Sequence, residues 1–172
     1  MLASRCAWTI LRADHAQIRR LLDLIAKEMR GTQWRRGGPG VARLQQLIAS
    51  LQSFDQASHR PKGIALVEAL RGRSADADRL LADLERDREV EDALLTQAVD
   101  RLDEVARGTE GAGDACERLL VRYRESVLQH LDQEDTVLCA HSERLLTEQE
   151  WSLVVSEISS SLYPGNVERS RP

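Results

Sequence analysis

The segment Leu120-Val-Arg-Tyr-Arg-Glu-Ser-Val-Leu-Gln-His130-Leu-Asp-Gln-Glu134-Asp-Thr-Val-Leu-Cys-Ala-His141 decides how the rest of the chain is read. Within it Leu120, Tyr123, Val127, His130, Glu134, Val137 and His141 follow one another at three- and four-residue steps, the spacing of a single α-helical face. Arginines and glutamates fill the other faces. The stripe is apolar toward its start and polar in its middle, where His130 and Glu134 stand one turn apart and can aim an imidazole and a carboxylate at one point. Unpaired polar groups are costly in a core, so this face requires partners at the same depth on other helices.

Those partners are found upstream. From Trp8 to Arg30 the residues Leu11, His15, Ile18, Leu22, Ile25 and Met29 form a second stripe of the same period, again with one histidine in it. Gly31 to Gly40, with four glycines and Pro39, reads as a surface connection without structure of its own, from which Trp34 can fold back onto the protein. A third stripe holds Leu44, Ile48, Leu51, Asp55 and His59, then meets Pro61, which lacks a backbone donor and kinks or interrupts a helix, and resumes at Leu66 and Leu70. Ser74 is placed to cap a fourth segment with the face Leu81, Leu84, Arg88, Glu91, Leu95, Ala98, Leu102 and Val105, closed by Gly108 to Gly113. Thr147-Glu148-Gln149-Glu150 has the form of a capping box and opens a short last helix, whose Trp151 and Val155 can cover one end of the molecule.

A chain of 172 residues fits one domain, burying roughly 70% of the surface its unfolded form exposes. Aromatic residues make up only 3% and charged residues 30%, with Leu, Val, Ala and Ile carrying the apolar content, which favours helices packed on helices. The expected fold is all-α: an up-and-down antiparallel four-helix bundle with a short C-terminal fifth helix over residues 1–162, and a loose tail over 163–172. The net charge of −4 is dispersed, so no polyanion footprint points to nucleic acid. Cys6, Cys116 and Cys139 lack zinc-type spacing, and neither a signal peptide nor a membrane-length apolar run is seen; a cytoplasmic protein is expected. Cys139 reads as a small core hydrophobe, and the acidic run Asp83 to Asp92 as mostly a solvated face.

In an antiparallel bundle, counting from shared turns places His15, His59, Arg88 with Glu91, and His130 with Glu134 at one level. A single histidine on a helix face is weak evidence of function. Three of the four histidines meeting one carboxylate in a core layer point to a cation, because imidazole nitrogen and carboxylate oxygen are what helix bundles offer iron, zinc or manganese. His141 lies three turns beyond His130 without a partner and is read as structural.

The motifs resemble the hemerythrin-like (HHE) cation-binding family along nearly the whole chain. Leu-Arg-Ala-Asp-His15 is similar to its opening histidine, Ser58-His-Arg-Pro-Lys-Gly63 to its His-His-Pro-Lys-Glu segment, and His130-Leu-Asp-Gln-Glu134, followed by Leu-Leu-Thr-Glu-Gln-Glu-Trp151, to its closing part. The resemblance implies a four-helix bundle around two irons or a related centre, and a role in carrying or sensing oxygen, handling nitric oxide or peroxide, or repairing iron-sulfur clusters. It assigns His15, His59, His130 and Glu134 as ligands.

Two ligand positions depart from the family pattern. Gly63 stands where a bridging glutamate is usual, and Arg88, in Glu-Arg-Asp-Arg, where a histidine is usual. Glycine has no ligand atom, and a guanidinium stays protonated. Arg60 also replaces the second histidine of the pair. The expectation is therefore a reduced site holding one iron or zinc ion, or none, with Glu91 as a substitute ligand and Arg88 able to pair with Glu134 in place of the second metal. A cation near Arg88 meets repulsion of about 4 kcal/mol at an effective dielectric of about 20 unless Glu91 neutralises it or the side chain swings out. Two alternatives stand beside this reading: a metal-free helical module for a protein partner, and a di-iron protein handling oxygen, peroxide or nitric oxide.

Overall fold

All six stripe residues from Leu11 to Met29 face the interior of the first helix, α1 (Leu2–Met29), in the computed structural model, which describes residues 2–161. The helix starts six residues before Trp8 because Ser4 and Ala7 also find buried positions on its inner face. After it, Gln33–Arg36 forms a 3-10 turn in a stretch expected to lack structure. Trp34 explains this turn. Its indole is buried and its Nε1 donates to the Met29 carbonyl at 3.0 Å, folding the connection onto the end of α1. Gly40 permits the approach, since a Cβ there would lie 2.9 Å from the Trp34 Cα.

α2 (Pro39–Phe54) runs into a π-helical turn at Asp55–His59 and continues as α3 (Arg60–Leu70). Pro61 does not break the chain direction into a loop. The wider turn just ahead of it absorbs the missing donor, with the Arg60 amide bonding back to the Asp55 carbonyl. Ser74 caps α4 (Ala75–Ala106) as expected, its hydroxyl accepting from the Ala77 amide at 3.1 Å. α5 (Ala112–Gln133) passes through a second π turn, Glu134–Leu138, into α6 (Cys139–Leu145), and α7 (Glu148–Ser161) closes the described chain behind the Thr147/Glu150 capping box. The expected tail over 163–172 lies outside the described residues.

The second π turn corrects the register of the deciding segment. One extra residue per turn rotates everything downstream, so Leu138, Cys139 and Ser142 are buried, while Val137 is 43% exposed and His141 leaves the inner face. Val155 is only half-buried; Trp151, Val154 and Ile158 cover that end instead.

The helices pack as a bundle, α4 on α5, α1 on α2 and α7, and α3 on α7. Two apolar clusters form its core among the described residues. One surrounds Leu22, Trp34, Ile48, Leu102 and Leu120, the other Trp8, Leu66, Leu81 and Trp151. Between them lies a polar layer of buried His15, His59, Glu91, His130 and Glu134. No described helix is long and apolar enough to cross a membrane.

Candidate metal centre

His15 enters the layer from α1 with no exposed surface, and His59 from the last position of the first π turn. Glu134 opens the second π turn. Widened turns of this kind recur where a helix must present a functional side chain that regular pitch would turn aside. The His15 and His59 rings meet edge to face with centroids 5.1 Å apart. Their Nε2 atoms lie 3.0 and 3.5 Å from the same carboxylate oxygen, Glu134 Oε2, and one ligand atom from each of the three residues falls within 4.8 Å of the others.

The remote nitrogens fix which atoms face inward. His15 Nδ1 is 2.9 Å from Asp135 Oδ1, and Arg19 Nη2 holds the other oxygen of that aspartate at 3.0 Å. His59 Nδ1 is 2.9 Å from Asp55 Oδ1, and Arg60 Nε donates to that residue's Oδ2. A carboxylate accepts, so each Nδ1 carries a proton, and only when the ring is neutral does its Nε2 present a lone pair. Both Nε2 atoms are fully buried and make no hydrogen bond of acceptable alignment. Two nitrogen lone pairs facing a carboxylate repel unless a proton or a cation stands between them. Carboxylate, histidine and an inward nitrogen make up the arrangement in which proteins hold iron or zinc, and the donor set of two imidazoles and one carboxylate fits either ion.

The family model described as hemerythrin HHE cation binding domain matches residues 6–141. The chain belongs to this family. Comparison with curated proteins and with solved structures gives no match.

Of the departures from the family pattern, Arg88 lies on the far side of the carboxylate. Glu134 Oε1 turns away from His15 and His59 toward His130 Nε2 at 3.2 Å and Arg88 Nη2 at 3.6 Å. His130 is thus brought to Glu134 but stands outside the three-residue set on Oε2. Arg88 reaches in from the rim, its side chain a quarter exposed, and its guanidinium supplies positive charge on that side. Glu91 is buried 3.3 Å from His130 Nδ1 and accepts from the Ser126 hydroxyl. A cavity of about 30 Å³ bordered by Asp55, His59, Arg88, Glu91, Tyr123 and His130 leaves room for a water-sized molecule here.

The helical stripes do not by themselves mark Asp135 and Asp55 as imidazole partners. Asp55 precedes His59 by four residues, which was the available signal; Asp135 reads in the sequence as one more exposed acid beside Glu134, and only the π turn brings it against His15. Arg60 gives up any ligand role and braces Asp55 while bonding Asp92 on α4.

Burial works against charge on His59 and His130, yet the carboxylates prevail: Asp55 and Glu134 raise His59 to about 9, and Glu134 and Glu91 raise His130 to about 9. Burial likewise opposes the ionised form of Glu134, but His130, His15 and His59 hold it well below the usual carboxylate range. A histidine raised on folding contributes stability that is complete below its unfolded value and lost as pH rises through the folded one. The metal-free chain is therefore expected to lose melting temperature steadily between pH 6.5 and 9. Zinc should reverse this trend, since a cation replaces the protons and its binding strengthens as they leave. Thermal scans across that range, with and without zinc, check both signs.

Proposed function

We propose that this hemerythrin-type domain binds one iron or zinc ion on His15, His59 and Glu134, and acts in a metal or reactive oxygen/nitrogen response in the cytoplasm. One observation carries the reading: two imidazoles, each with Nδ1 tied to an aspartate, turn their Nε2 atoms onto one oxygen of a buried carboxylate. An iron ion held there would supply a redox-active centre with coordination positions left over for a small ligand, whereas zinc would supply Lewis acidity alone. The chain's own part is to hold the tautomers, keep Glu134 ionised and limit access to the cavity beside Arg88. The up-and-down four-helix arrangement and a single domain over residues 1–162 belong to the same reading.

His130 and Glu91 are reserve ligands. They flank the oxygen that Arg88 pairs with, and a second ion would have to displace that guanidinium. Di-iron chemistry is the less favoured reading for this reason.

Metal content after anaerobic purification tests the proposal. One equivalent of iron or zinc per chain is expected in the wild type and close to none in His59→Ala, whose loss removes one of three donors. A wild type that takes up neither ion, with a melting temperature unmoved by zinc, would end it. That result would favour the metal-free interaction module, a reading with an observation of its own: Arg88 and protonated imidazoles can balance Glu134 without any ion.

A further inference from the structure

Lys62 is 2% exposed, an unusual place for an ammonium group. Its Nζ donates to Asp14 Oδ2 at 2.6 Å and to Ser58 Oγ at 2.8 Å, and the Ser58 hydroxyl donates to the same Asp14 oxygen at 3.2 Å. The three groups close a ring between α1 and the π turn. Asp14 directly precedes His15, and Ser58 directly precedes His59. The ring therefore ties together the two backbone positions next to the two imidazoles that share Glu134 Oε2.

Stability alone does not account for such a pair. Removing two charges from water costs several kcal/mol per ion, and apolar residues of similar volume often serve as well or better. Short charge-assisted hydrogen bonds supply direction instead. Packed alkyl chains can slide along a helix interface; an ammonium seated between a carboxylate and a hydroxyl cannot shift without breaking a bond. A cation site gains from that rigidity, because ligands already held at the right separation need no ordering when the ion arrives.

We propose that Lys62, Asp14 and Ser58 form a positioning clamp that sets His15 and His59 at ligating separation before any ion is bound. The clamp rests on the cation-binding reading for its purpose, though not for its effect on the two rings. None of its residues is proposed as a ligand.

The test compares wild type with Asp14→Leu/Lys62→Met, which removes both charges at similar shape, and with Ser58→Ala and Ser58→Thr. Three quantities are read: Co(II) affinity with its visible spectrum, the nuclear Overhauser contact between the His15 and His59 rings in the metal-free chain, and the melting temperature. The double variant is expected to fold, to bind Co(II) at least about tenfold more weakly, the scale of second-shell losses, and to lose the inter-ring contact. Ser58→Ala should weaken Co(II) binding while Ser58→Thr, which keeps the hydroxyl, retains it. A folded double variant with wild-type Co(II) affinity and an intact ring contact overturns the clamp. Should the double variant fail to fold, the Ser58 pair decides by the same two readouts. Should wild type bind no Co(II), the functional reading fails separately, and the ring contact in the metal-free variants still decides the clamp.

Discussion

Replacing Glu134 by glutamine is expected to lower the melting temperature of the metal-free chain by roughly 10 °C, from a loss of about 3 kcal/mol at 2–4 °C each for a chain of this size. The carboxylate is the common counter-charge of the layer: His15 and His59 face one oxygen, His130 and Arg88 the other. A glutamine of the same shape keeps the packing but not the charge, and its amide presents hydrogens where an acceptor is needed. His59 and His130 can shed their protons in response, which limits the cost; Arg88 cannot. Cation uptake should vanish in the same variant, because two imidazoles alone are a poor site for Fe(II) or Zn(II). Differential scanning calorimetry at neutral pH, with and without zinc, measures both effects. A variant as stable as wild type would mean that Glu134 is not the electrostatic centre of this core.

The second large effect runs the other way. Gly63→Glu together with Arg88→His is expected to raise iron content from one equivalent per chain to two. Gly63 follows His59 by four residues on α3, and a Cβ built there meets nothing within 4 Å, so a side chain can start from this position without a clash. Histidine at position 88 removes the guanidinium from Glu134 Oε1 and offers a nitrogen in its place, beside His130. Each single variant should stay near one equivalent. Gly63→Glu alone leaves the fixed charge, and Arg88→His alone leaves the second ion without a bridging carboxylate. Exchanging a helix-interior glycine also contributes about 1 kcal/mol through backbone entropy, a gain visible in the melting temperature without iron. An iron content unchanged in the double variant would show that something other than these two positions limits the site.

Much of this was legible in the sequence because helical period and burial agree. Every stripe residue from Leu11 to Met29 is buried, the Ser74 cap and the Thr147/Glu150 box form as written, and His15, His59, His130 and Glu134 share one layer. Period-based reading failed where the period itself changes. A π turn has no compositional marker and adds one residue to the repeat, so a constant period puts Val137 and His141 on a face that Leu138 and Ser142 occupy. The aspartates behind the imidazoles were hidden for a related reason: Asp135 is an ordinary acid until the widened turn swings it against α1. Lys62 was hidden by chemistry. Lysine is so seldom enclosed that nothing in Arg-Pro-Lys-Gly suggests it points inward, and its partners lie 4 and 48 residues away in the chain.

The division of the core into two apolar clusters bears on how the molecule yields. An oily interior that runs unbroken from end to end loosens as one body, but here a polar waist separates two greasy lobes, one anchored by Trp34 and the other by Trp8 and Trp151. The lobes communicate through the helices that thread both and through the side chains of the waist itself. A metal ion seated in that waist would act as a rivet between the lobes, and its departure would leave each freer to breathe on its own.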